Sequence, residues 1–530
     1  MVPLRRTFAI VALALAIAPL VANAPLFDPD EGLHAAIAQE MARSGDYVTP
    51  RFLGEPFLDK PILFFWAEAL SLKVFGMNEA AVRIPPLLFG VLGMGAVALL
   101  GGALFGETAG LIAGVVYGTM LLPLGVSEVA VHDVAVVPFT CAGIFFLVAA
   151  ASGPRSAVSC AAAGICLGLA ILTKGLVGVV FAGIFAGCYA LARPATIVRL
   201  AIAFAVAALI AAAVAAPWYI AMEHAHPGYL HYYFVERHLQ GYLTATQRHA
   251  GRGPWYYLPV VSGGSLPWTG YLLRAARTIR RDRLRIVTWS WFAIGLVFLS
   301  IGESKLATYA LPLFPALAIL IGETIAASGG AIDRTGYGVY SATLTALPLA
   351  AVAALQVKYG GMETVYWIIA GAISTAIAFV SIPPSPRIPR LDFTGAAPTL
   401  SLMALFGLMV VAPRAANWMT SRDVAQRLNA NGRLPSHVLV LEERIGSFIF
   451  YLDPALRAEA TPARVDRATM VEAIQRSRIE SLDGIVIVRN NLLRRLERLF
   501  PAAPVPDWTA GTNTVYRIES LQKALRGEQR

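Results

Sequence analysis

The chain has 530 residues, of which 57% are hydrophobic and 14% charged, and its mean hydropathy is +0.62. This composition argues against a soluble protein with one large core, because soluble chains divide into separate domains well below this length. The formal net charge of +10 occurs without a P-loop or a dinucleotide-binding fingerprint, which disfavours a nucleotide-driven machine. A polytopic membrane protein fits the composition best.

About 13 apolar segments of roughly 20 residues each predict a membrane-spanning helical bundle. The first segment covers residues 8–22 and follows Arg5 and Arg6. It has the form of a secretory signal or of a first transmembrane helix, and we favour the helix. The other apolar segments lie at 83–105, 107–126, 133–151, 157–173, 175–192, 199–220, 255–273, 286–301, 305–325, 338–357, 363–382 and 395–413.

Arginines mark one set of the predicted loops. They are densest between residues 274 and 285, and others lie at Arg155, Arg193 and Arg334. The positive-inside rule places these loops in the cytoplasm and the first loop, residues 25–82, on the other side. The four cysteines, at 141, 160, 166 and 188, lie in apolar segments without metal-ligand spacing and read as small core residues.

The chain changes character after residue 413. Two short apolar runs, His437–Leu441 and Gly484–Val488, are typical of buried strands. Helical patterns cover 421–431, 468–479 and 490–500. The sequence therefore predicts a mainly α transmembrane domain over residues 1–413 and a small soluble α/β domain over residues 414–530.

The first loop collects charged residues in a chain that has few of them. Asp28, Asp30 and Glu31 lie at the start of a predicted helix over 30–43, and Asp59 and Lys60 precede Pro61. Acids at a helix start often serve only as caps, and an exposed acid–lysine pair contributes little stability. A partly desolvated carboxylate can also act as a general base, and an ammonium can bind an anionic group.

Further polar residues stand at the same ends of the predicted spans. Asp133 follows His132 at the start of an apolar run, and Lys174 divides two runs. An ionisable residue at a span end is a functional candidate, although a capping acid or a snorkelling lysine is the simpler reading. The other candidates on this side of the membrane are His34, Arg83, His249, Glu303, Lys305 and Tyr309.

Several short motifs occur in a characteristic order between residues 25 and 325. They are Asp-Glu at 30–31, Ser-Gly-Asp-Tyr-Val-Thr-Pro at 44–50, Asp-Lys-Pro at 59–61, Val-Arg-Ile-Pro at 82–85, Leu-Thr-Lys-Gly at 172–175, Pro-Trp-Tyr at 217–219, Glu-Arg-His at 236–238 and Glu-Ser-Lys-Leu-Ala-Thr-Tyr at 303–309. Together they resemble the GT-C glycosyltransferases that use polyprenyl-phosphate sugars. The branch most similar is that of the lipid A aminoarabinose transferases and their relatives in glycosyltransferase family 39.

The resemblance implies an inner-membrane enzyme that moves a sugar from undecaprenyl phosphate, or a similar polyprenyl phosphate, to an envelope acceptor such as lipid A at the periplasmic face. It implies catalytic roles for Asp30, Asp59, Lys60 and Asp133. We expect substrate contacts from Asp28, Glu31, His34, Arg83, Lys174, His249, Glu303, Lys305 and Tyr309.

We expect no cofactor and no essential metal, although a divalent ion between Asp30 and Asp59 is an open alternative. The expected partners are the lipid donor, the acceptor and membrane lipids, without nucleic acid, and the expected state is a monomer.

Two other functions fit parts of the sequence. A protein O-mannosyltransferase-like enzyme would use a similar donor with a different acceptor. A lipid or sugar transporter would place polar groups near the bilayer midplane on broken helices, often in an internal repeat. The charges of this chain instead gather at one predicted membrane face, which favours an enzyme.

Overall fold

The computed structural model describes residues 5–6, 8–9, 11–13, 24–153, 156–244, 251–328, 334–359, 362–381, 412–441, 445–459, 461–480 and 483–528. Nearly all of the predicted spans at 8–22 and 395–413 lie outside these residues. The number of 13 spans therefore stays a prediction.

The first loop contains two helices, and the first of them confirms the helix predicted over residues 30–43. Helix α1 (Asp30–Ser44) ends at Gly45, which has a φ of 75° and donates its N–H to the carbonyl of Met41. A residue with positive φ is the usual end of a helix, and glycine adopts this conformation without strain. Helix α2 is Leu63–Phe75, and a small hairpin of β1 (Arg51–Phe52) and β2 (Glu55–Pro56) lies between the two helices.

Seven helices of the described part are long and apolar enough to cross a bilayer, and one bent pair makes a possible eighth. The seven are α3 (Glu79–Phe105), α6 (Asp133–Ser152), α7 (Ser156–Lys174), α9 (Ile197–Ala225), α12 (Arg283–Ile301), α13 (Phe314–Ala327, with a 3₁₀ turn from Ala307) and α14 (Arg334–Tyr359). The bent pair is α4 (Glu107–Thr119) and α5 (Leu121–Ser127), which meet at 65°. Two shorter apolar helices are α8 (Val177–Ala192) and α15 (Thr364–Ser381).

A second predicted span, besides the bent pair α4 and α5, is not a single helix. The segment 255–273 forms α10 (Tyr257–Gly264) and α11 (Thr269–Arg277), with a turn between them. Gly263 and Gly264 weaken the helix, and Pro267 lacks the N–H that a continuing helix needs and disfavours helical geometry at Leu266. The sequence correctly predicted apolar helical structure in this segment, but it did not predict the turn that divides the helix.

Small residues hold the bundle together where two helices approach closely. Ala203, Ala207 and Ala211 lie four residues apart on α9 and are buried. A methyl group on Gly164 or Gly168 of α7 would lie 2.8 and 3.0 Å from the α9 carbonyl oxygens of residues 207 and 211. Such close backbone contact replaces the hydrophobic driving force that is absent between helices in lipid.

The helices differ in how much of their surface other helices cover. The span that includes α9 buries only 22% of its most apolar window, whereas the span that includes α13 buries 78%. Leu209 of α9 is 73% exposed. We infer that α9 lies at the lipid-facing periphery of the bundle and α13 near its centre.

The last part of the chain forms a five-stranded mixed sheet in the order β4-β3-β5-β7-β6. Its strands are β3 (His437–Leu441), β4 (Thr461–Val465), β5 (Gly484–Arg489), β6 (Trp508–Ala510) and β7 (Asn513–Arg517). Its helices are α16 (Ala412–Met419), α17 (Arg422–Asn431), α18 (Gly446–Tyr451), α19 (Pro454–Glu459), α20 (Arg467–Glu480), α21 (Leu493–Glu497) and α22 (Ile518–Leu525). We call residues 412–528 the C-terminal α/β unit; its boundary at residue 414 and its periplasmic location stay predictions.

The orientation of the bundle can be tested with reporters. We expect a reporter fused near Arg280 to be cytoplasmic and one fused after Arg414 to be on the opposite side, because five predicted spans separate the two points. Alkaline phosphatase and fluorescent-protein fusions would measure this. Both reporters on the same side would mean that the span count has the wrong parity.

Candidate active site

Two neighbouring spans bring a carboxylate and an ammonium together at one end of the bundle. Asp133 is the first residue of α6, and Lys174 is the last residue of α7, the next helix. Because the two helices run antiparallel, both residues lie at the same membrane face. Their side chains form a hydrogen-bonded ion pair with little exposed surface. The Lys174 Nζ also lies 4.1 Å from the centre of the Tyr309 ring, a cation–π contact.

The acid of the Asp59-Lys60 pair is fixed by a distant segment. Asp59 accepts a hydrogen bond of 2.6 Å from the Tyr232 hydroxyl and lies 3.3 Å from the Arg237 guanidinium. Both partners belong to His231–Gln240, a helix of π geometry, which is rare and frequent at functional sites. Burial and the contact with Asp59 raise the pKa of Tyr232 to about 12, so its hydroxyl keeps the proton that it donates.

Lys60 lies close enough to Asp59 and Asp133 for the charges of both carboxylates to affect it. It is partly buried, and burial lowers its pKa below the ordinary lysine value. The nearby Arg237 also lowers this pKa, whereas the charges of Asp133, Asp59 and Asp30 raise it. A partly desolvated ammonium interacts more strongly with an anionic group than one in bulk water, because the local dielectric constant is lower.

Comparisons with known proteins show which families and folds the chain is similar to. Residues 59–220 match the family described as dolichyl-phosphate-mannose-protein mannosyltransferase. The undecaprenyl phosphate-alpha-4-amino-4-deoxy-L-arabinose arabinosyl transferase of Aeromonas salmonicida is 32% identical over 318 residues, 56% of this chain and 55% of the relative. The enzyme of the same name from Pseudomonas aeruginosa is 30% identical over 366 residues, 67% of this chain and 66% of the relative.

The chain aligns with little more than half of the length of several of these relatives, such as 55% for the Aeromonas salmonicida protein and 62% for that of Erwinia tasmaniensis. Solved structures extend the likeness over nearly the whole chain. The crystal structure of ArnT from Cupriavidus metallidurans bound to undecaprenyl phosphate has a TM-score of 0.76 at 22% identity and covers 96% of this chain and 97% of its own. The chain is a polytopic membrane protein with the GT-C fold. The oligosaccharyltransferase of Archaeoglobus fulgidus shares this fold more distantly, with a TM-score of 0.52 at 13% identity over 92% of this chain and 70% of its own.

This GT-C fold brings together six of the residues singled out in the sequence. They are Asp30, Asp59, Lys60, Asp133, Lys174 and Tyr309. Five separate elements supply them: the start of α1, the loop before α2, the start of α6, the end of α7 and the turn before α13. We call these six residues the membrane-face cluster. Their individual roles in catalysis and binding stay predictions.

Glu31 and Arg83 have a structural role in place of the substrate contact that we predicted. Arg83 Nε and Nη2 donate to the two Glu31 carboxylate oxygens at 2.8 and 2.9 Å, and the guanidinium also donates to the carbonyls of Ala24 and Pro25. Both side chains are buried. A buried charge needs a partner, and removing one member of such a pair costs about 3–5 kcal/mol. This pair therefore ties α1 to α3.

Asp28 and His34 are also structural in this fold. The Asp28 carboxylate is fully buried and accepts hydrogen bonds from Ser447 of the C-terminal α/β unit. His34 is buried, its Nδ1 lies 2.8 Å from the Ala130 carbonyl, and its ring packs 4.6 Å from that of His132. These contacts replace the substrate-binding roles that we predicted, because both side chains face protein groups.

For two of the remaining candidates, Lys305 and Glu303, the structure gives burial and backbone contacts. Lys305 is 3% exposed, and its carbonyl accepts a hydrogen bond of 2.8 Å from Arg252. Glu303 is half-buried, and its backbone N–H donates to the Tyr242 carbonyl. His249 lies outside the described residues. Substrate contact by these three residues stays a prediction.

Sequence reasoning missed the two residues that hold Asp59. Arg237 lies in the Glu-Arg-His motif, and Tyr232 lies in the aromatic run before it, but neither was assigned to the site. The sequence did contain a hint of these contacts. Basic and aromatic residues in one outer loop can bind the carboxylates of another outer loop. Within the described part of the chain, no group of three or more His, Cys, Asp or Glu side chains could hold a metal ion. A reaction without a metal stays a prediction.

Proposed function

We propose that the protein is an inner-membrane glycosyltransferase. Its donor is a sugar on a polyprenyl phosphate such as undecaprenyl phosphate, and its acceptor is an envelope molecule such as lipid A at the periplasmic face. The observation that carries the proposal is the membrane-face cluster, in which lysines and carboxylates meet where a lipid phosphate can enter from the bilayer. The names of the relatives support the same donor and a 4-amino-4-deoxy-L-arabinose unit as the sugar.

The reaction breaks the bond between the anomeric carbon of the sugar and an oxygen of the carrier phosphate. The phosphate keeps the electron pair, and an acceptor oxygen forms the new bond to the anomeric carbon. Negative charge on the phosphate grows as the bond breaks, so preplaced cations lower the barrier. Lys60 and Lys174 are the lysine cations of the cluster. Asp133 forms an ion pair with Lys174, and the charges of Asp59 and Asp133 act on Lys60.

Asp30 acts on the acceptor side in this mechanism. It starts α1 and lies close enough to Lys60 and Tyr309 for its charge to affect both. If the acceptor is a hydroxyl, Asp30 takes its proton as a general base. If the acceptor is a phosphate, it already carries negative charge, and Asp30 orients it.

The second candidate is a protein O-mannosyltransferase-like activity, which the description of the matching family supports. It shares the donor chemistry and differs in the acceptor. A transporter fits less well, because the charged residues of the cluster stand at helix ends and in loops, whereas transporters bind near the bilayer midplane. We further propose that the protein acts as a monomer, without a metal and without nucleic acid.

Purified protein in detergent or nanodiscs would test the proposed function. It would be incubated with radiolabelled undecaprenyl-phosphate sugars and with either lipid A or a serine-rich peptide. We expect label on lipid A, with release of undecaprenyl phosphate. Label on the peptide alone would favour the mannosyltransferase-like activity, and no transfer from any polyprenyl-phosphate sugar would contradict the proposal.

The lowered pKa of Lys60 gives the reaction an alkaline limit. The Lys60 ammonium is present below its pKa and lost as pH rises through it, and burial moves this loss to lower pH than for an ordinary lysine. We therefore expect the KM for the lipid donor to rise at alkaline pH by roughly 10–100-fold. This is the loss of affinity expected when one hydrogen bond to a charged group is removed. Lys60→Arg should remove this rise, because a guanidinium stays protonated. An alkaline rise that persists unchanged in Lys60→Arg would assign it to another group.

A further inference from the structure

The C-terminal α/β unit has its own crevice of the kind that binds ligands. Strand β3 is paired in parallel with β4 on one side and with β5 on the other. The chain passes from β3 to β4 and then crosses to β5, so the strand order reverses between β3 and β5. In open α/β sheets, ligands bind at the carboxyl ends of the strands on either side of such a reversal.

Helices pack on opposite faces of the sheet on either side of this reversal. Phe448 and Ile449 of α18 pack on one face with Val438 and Ile485. Met470 and Ile474 of α20 pack on the other face with Leu439, Leu441, Val486 and Val488. The segment after β3 and the last residue of β5, Arg489, therefore border the same crevice.

The crevice is filled by a carboxylate of the first loop. Asp28 Oδ1 accepts the backbone N–H of Ser447 at 3.0 Å, and Oδ2 accepts the Ser447 hydroxyl. Arg489 lies 3.8 Å from Asp28 Oδ2 and donates to the Met419 carbonyl at 2.8 Å. The Asp28 backbone N–H donates to that same carbonyl at 2.8 Å. Asp28 is thus bound as a small anionic ligand would be.

Backbone contact next to this site is unusually close. A methyl group on Gly446 would lie 2.0 Å from the backbone nitrogen of Leu33, and one on Gly32 would lie 2.3 Å from that of Ser447. Only glycine at both positions allows α1 and α18 to approach in this way. Asp28 and Gly32 flank Asp30, so the C-terminal α/β unit holds both sides of the residue to which we assign the acceptor chemistry.

We propose that the C-terminal α/β unit uses its ligand crevice as a receptor for Asp28 and thereby fixes the position of Asp30. In this proposal Asp28, Ser447 and Arg489 are positioning residues, which act on the reaction through Asp30. Misplacing a reacting group by about 1 Å can cost ~10²-fold in rate, so this contact matters for turnover. The effect on turnover rests on the proposed function, whereas the docking itself does not.

The test compares Asp28→Asn and Ser447→Ala with wild type in the transfer assay. Both variants weaken the docking and leave Lys60 and Lys174 intact. We expect kcat to fall by roughly 10-fold or more in each, with the KM for the lipid donor within about twofold of wild type. The double variant should lose little more than the single ones, because the two changes break one contact. Arg517→Ala is the matched control, since it removes an exposed ion pair with Asp507 in the same unit.

Gly446→Ala gives a second test that changes no charge or hydrogen-bonding side chain. We expect the same loss of kcat, whereas Gly125→Ala should have no effect, because a methyl group there meets nothing within 4 Å. Equal kcat in wild type, Asp28→Asn, Ser447→Ala and Gly446→Ala would overturn the proposal. So would a loss that falls only on the KM for the donor.

Hydrogen–deuterium exchange separates this proposal from the proposed function. The amides of residues 28–36 should exchange about 10-fold faster in the docking variants than in wild type or Arg517→Ala, since local opening becomes easier. If the wild-type protein transfers no sugar, the proposed function fails, and exchange alone decides whether the docking exists. Unchanged exchange in both Asp28→Asn and Ser447→Ala would overturn the docking proposal whatever the turnover.

Discussion

Replacing Asp30 by asparagine should lower transfer to a hydroxyl acceptor by about 10²–10⁴-fold, because general-base assistance contributes that much to a rate. Asparagine keeps the shape of the side chain and removes its charge, so the start of α1 should survive. Transfer to a phosphate acceptor should fall much less, because that acceptor needs no base. Turnover of Asp30→Asn with each acceptor, measured with a purified lipid donor, therefore identifies the acceptor class as well as the role of Asp30.

Asp46→Asn is the matched control for this experiment. Asp46 lies in the same loop and accepts the N–H groups of Val48 and Thr49 at 3.0 and 3.1 Å, which stabilises a turn. Its loss should leave turnover within about twofold of wild type, as for most surface changes. If Asp30→Asn is as active as wild type with both acceptors, Asp30 has no part in the chemistry. The search for a base would then move to Asp59 and Asp133.

Lys60→Ala should lower kcat/KM for the lipid donor by about 10²–10³-fold, the usual cost of removing one preplaced group that stabilises developing negative charge. The fold should remain intact, because Lys60 is only partly buried in a loop, Asp59 keeps Arg237 as its partner and Asp133 keeps Lys174. Turnover and thermal unfolding of the purified variant would be measured side by side.

Lys73→Ala is the control for Lys60→Ala. Lys73 belongs to the same loop region but is exposed, and its Nζ lies 5.0 Å from the centre of the Tyr47 ring. We expect transfer by Lys73→Ala to match wild type. Loss of the folded protein in Lys60→Ala, with normal Lys73→Ala, would show that Lys60 is structural and would remove it from the proposed phosphate site.

The sequence predicted the features that depend on local pattern. Apolar periodicity located α1 and the spans at α3, α6 and α7, and Gly45 marked the end of α1. Charge bias along the loops placed Asp133 and Lys174 at one membrane face, and their ion pair agrees with it. The short apolar runs predicted β3 and β5. Such signals need only neighbouring residues, so one sequence is enough to read them.

Features that depend on distant partners were not predictable in this way. Asp28, Asp30 and Glu31 look alike in sequence, but Glu31 binds Arg83, 52 residues away, and Asp28 binds Ser447, 419 residues away. Pairing with distant groups takes Asp28 and Glu31 into the interior. Arg237 was overlooked for the same reason, since its partner Asp59 lies far away in the chain. Only the three-dimensional structure shows that, of these three neighbouring acids, Asp28 and Glu31 make structural contacts and Asp30 lies in the membrane-face cluster.

Mass spectrometry of the envelope of a deletion strain is the most direct measurement of whether this protein transfers a sugar from a lipid carrier. Lipid A, other glycolipids and glycoproteins would be compared among the wild-type strain, the deletion strain and the deletion strain complemented with wild type or Asp30→Asn. We expect one sugar substituent to be missing after deletion, undecaprenyl-phosphate sugar to accumulate, and the wild-type gene alone to restore the substituent in full. An unchanged set of glycolipids and glycoproteins in the deletion strain would contradict the glycosyltransferase assignment.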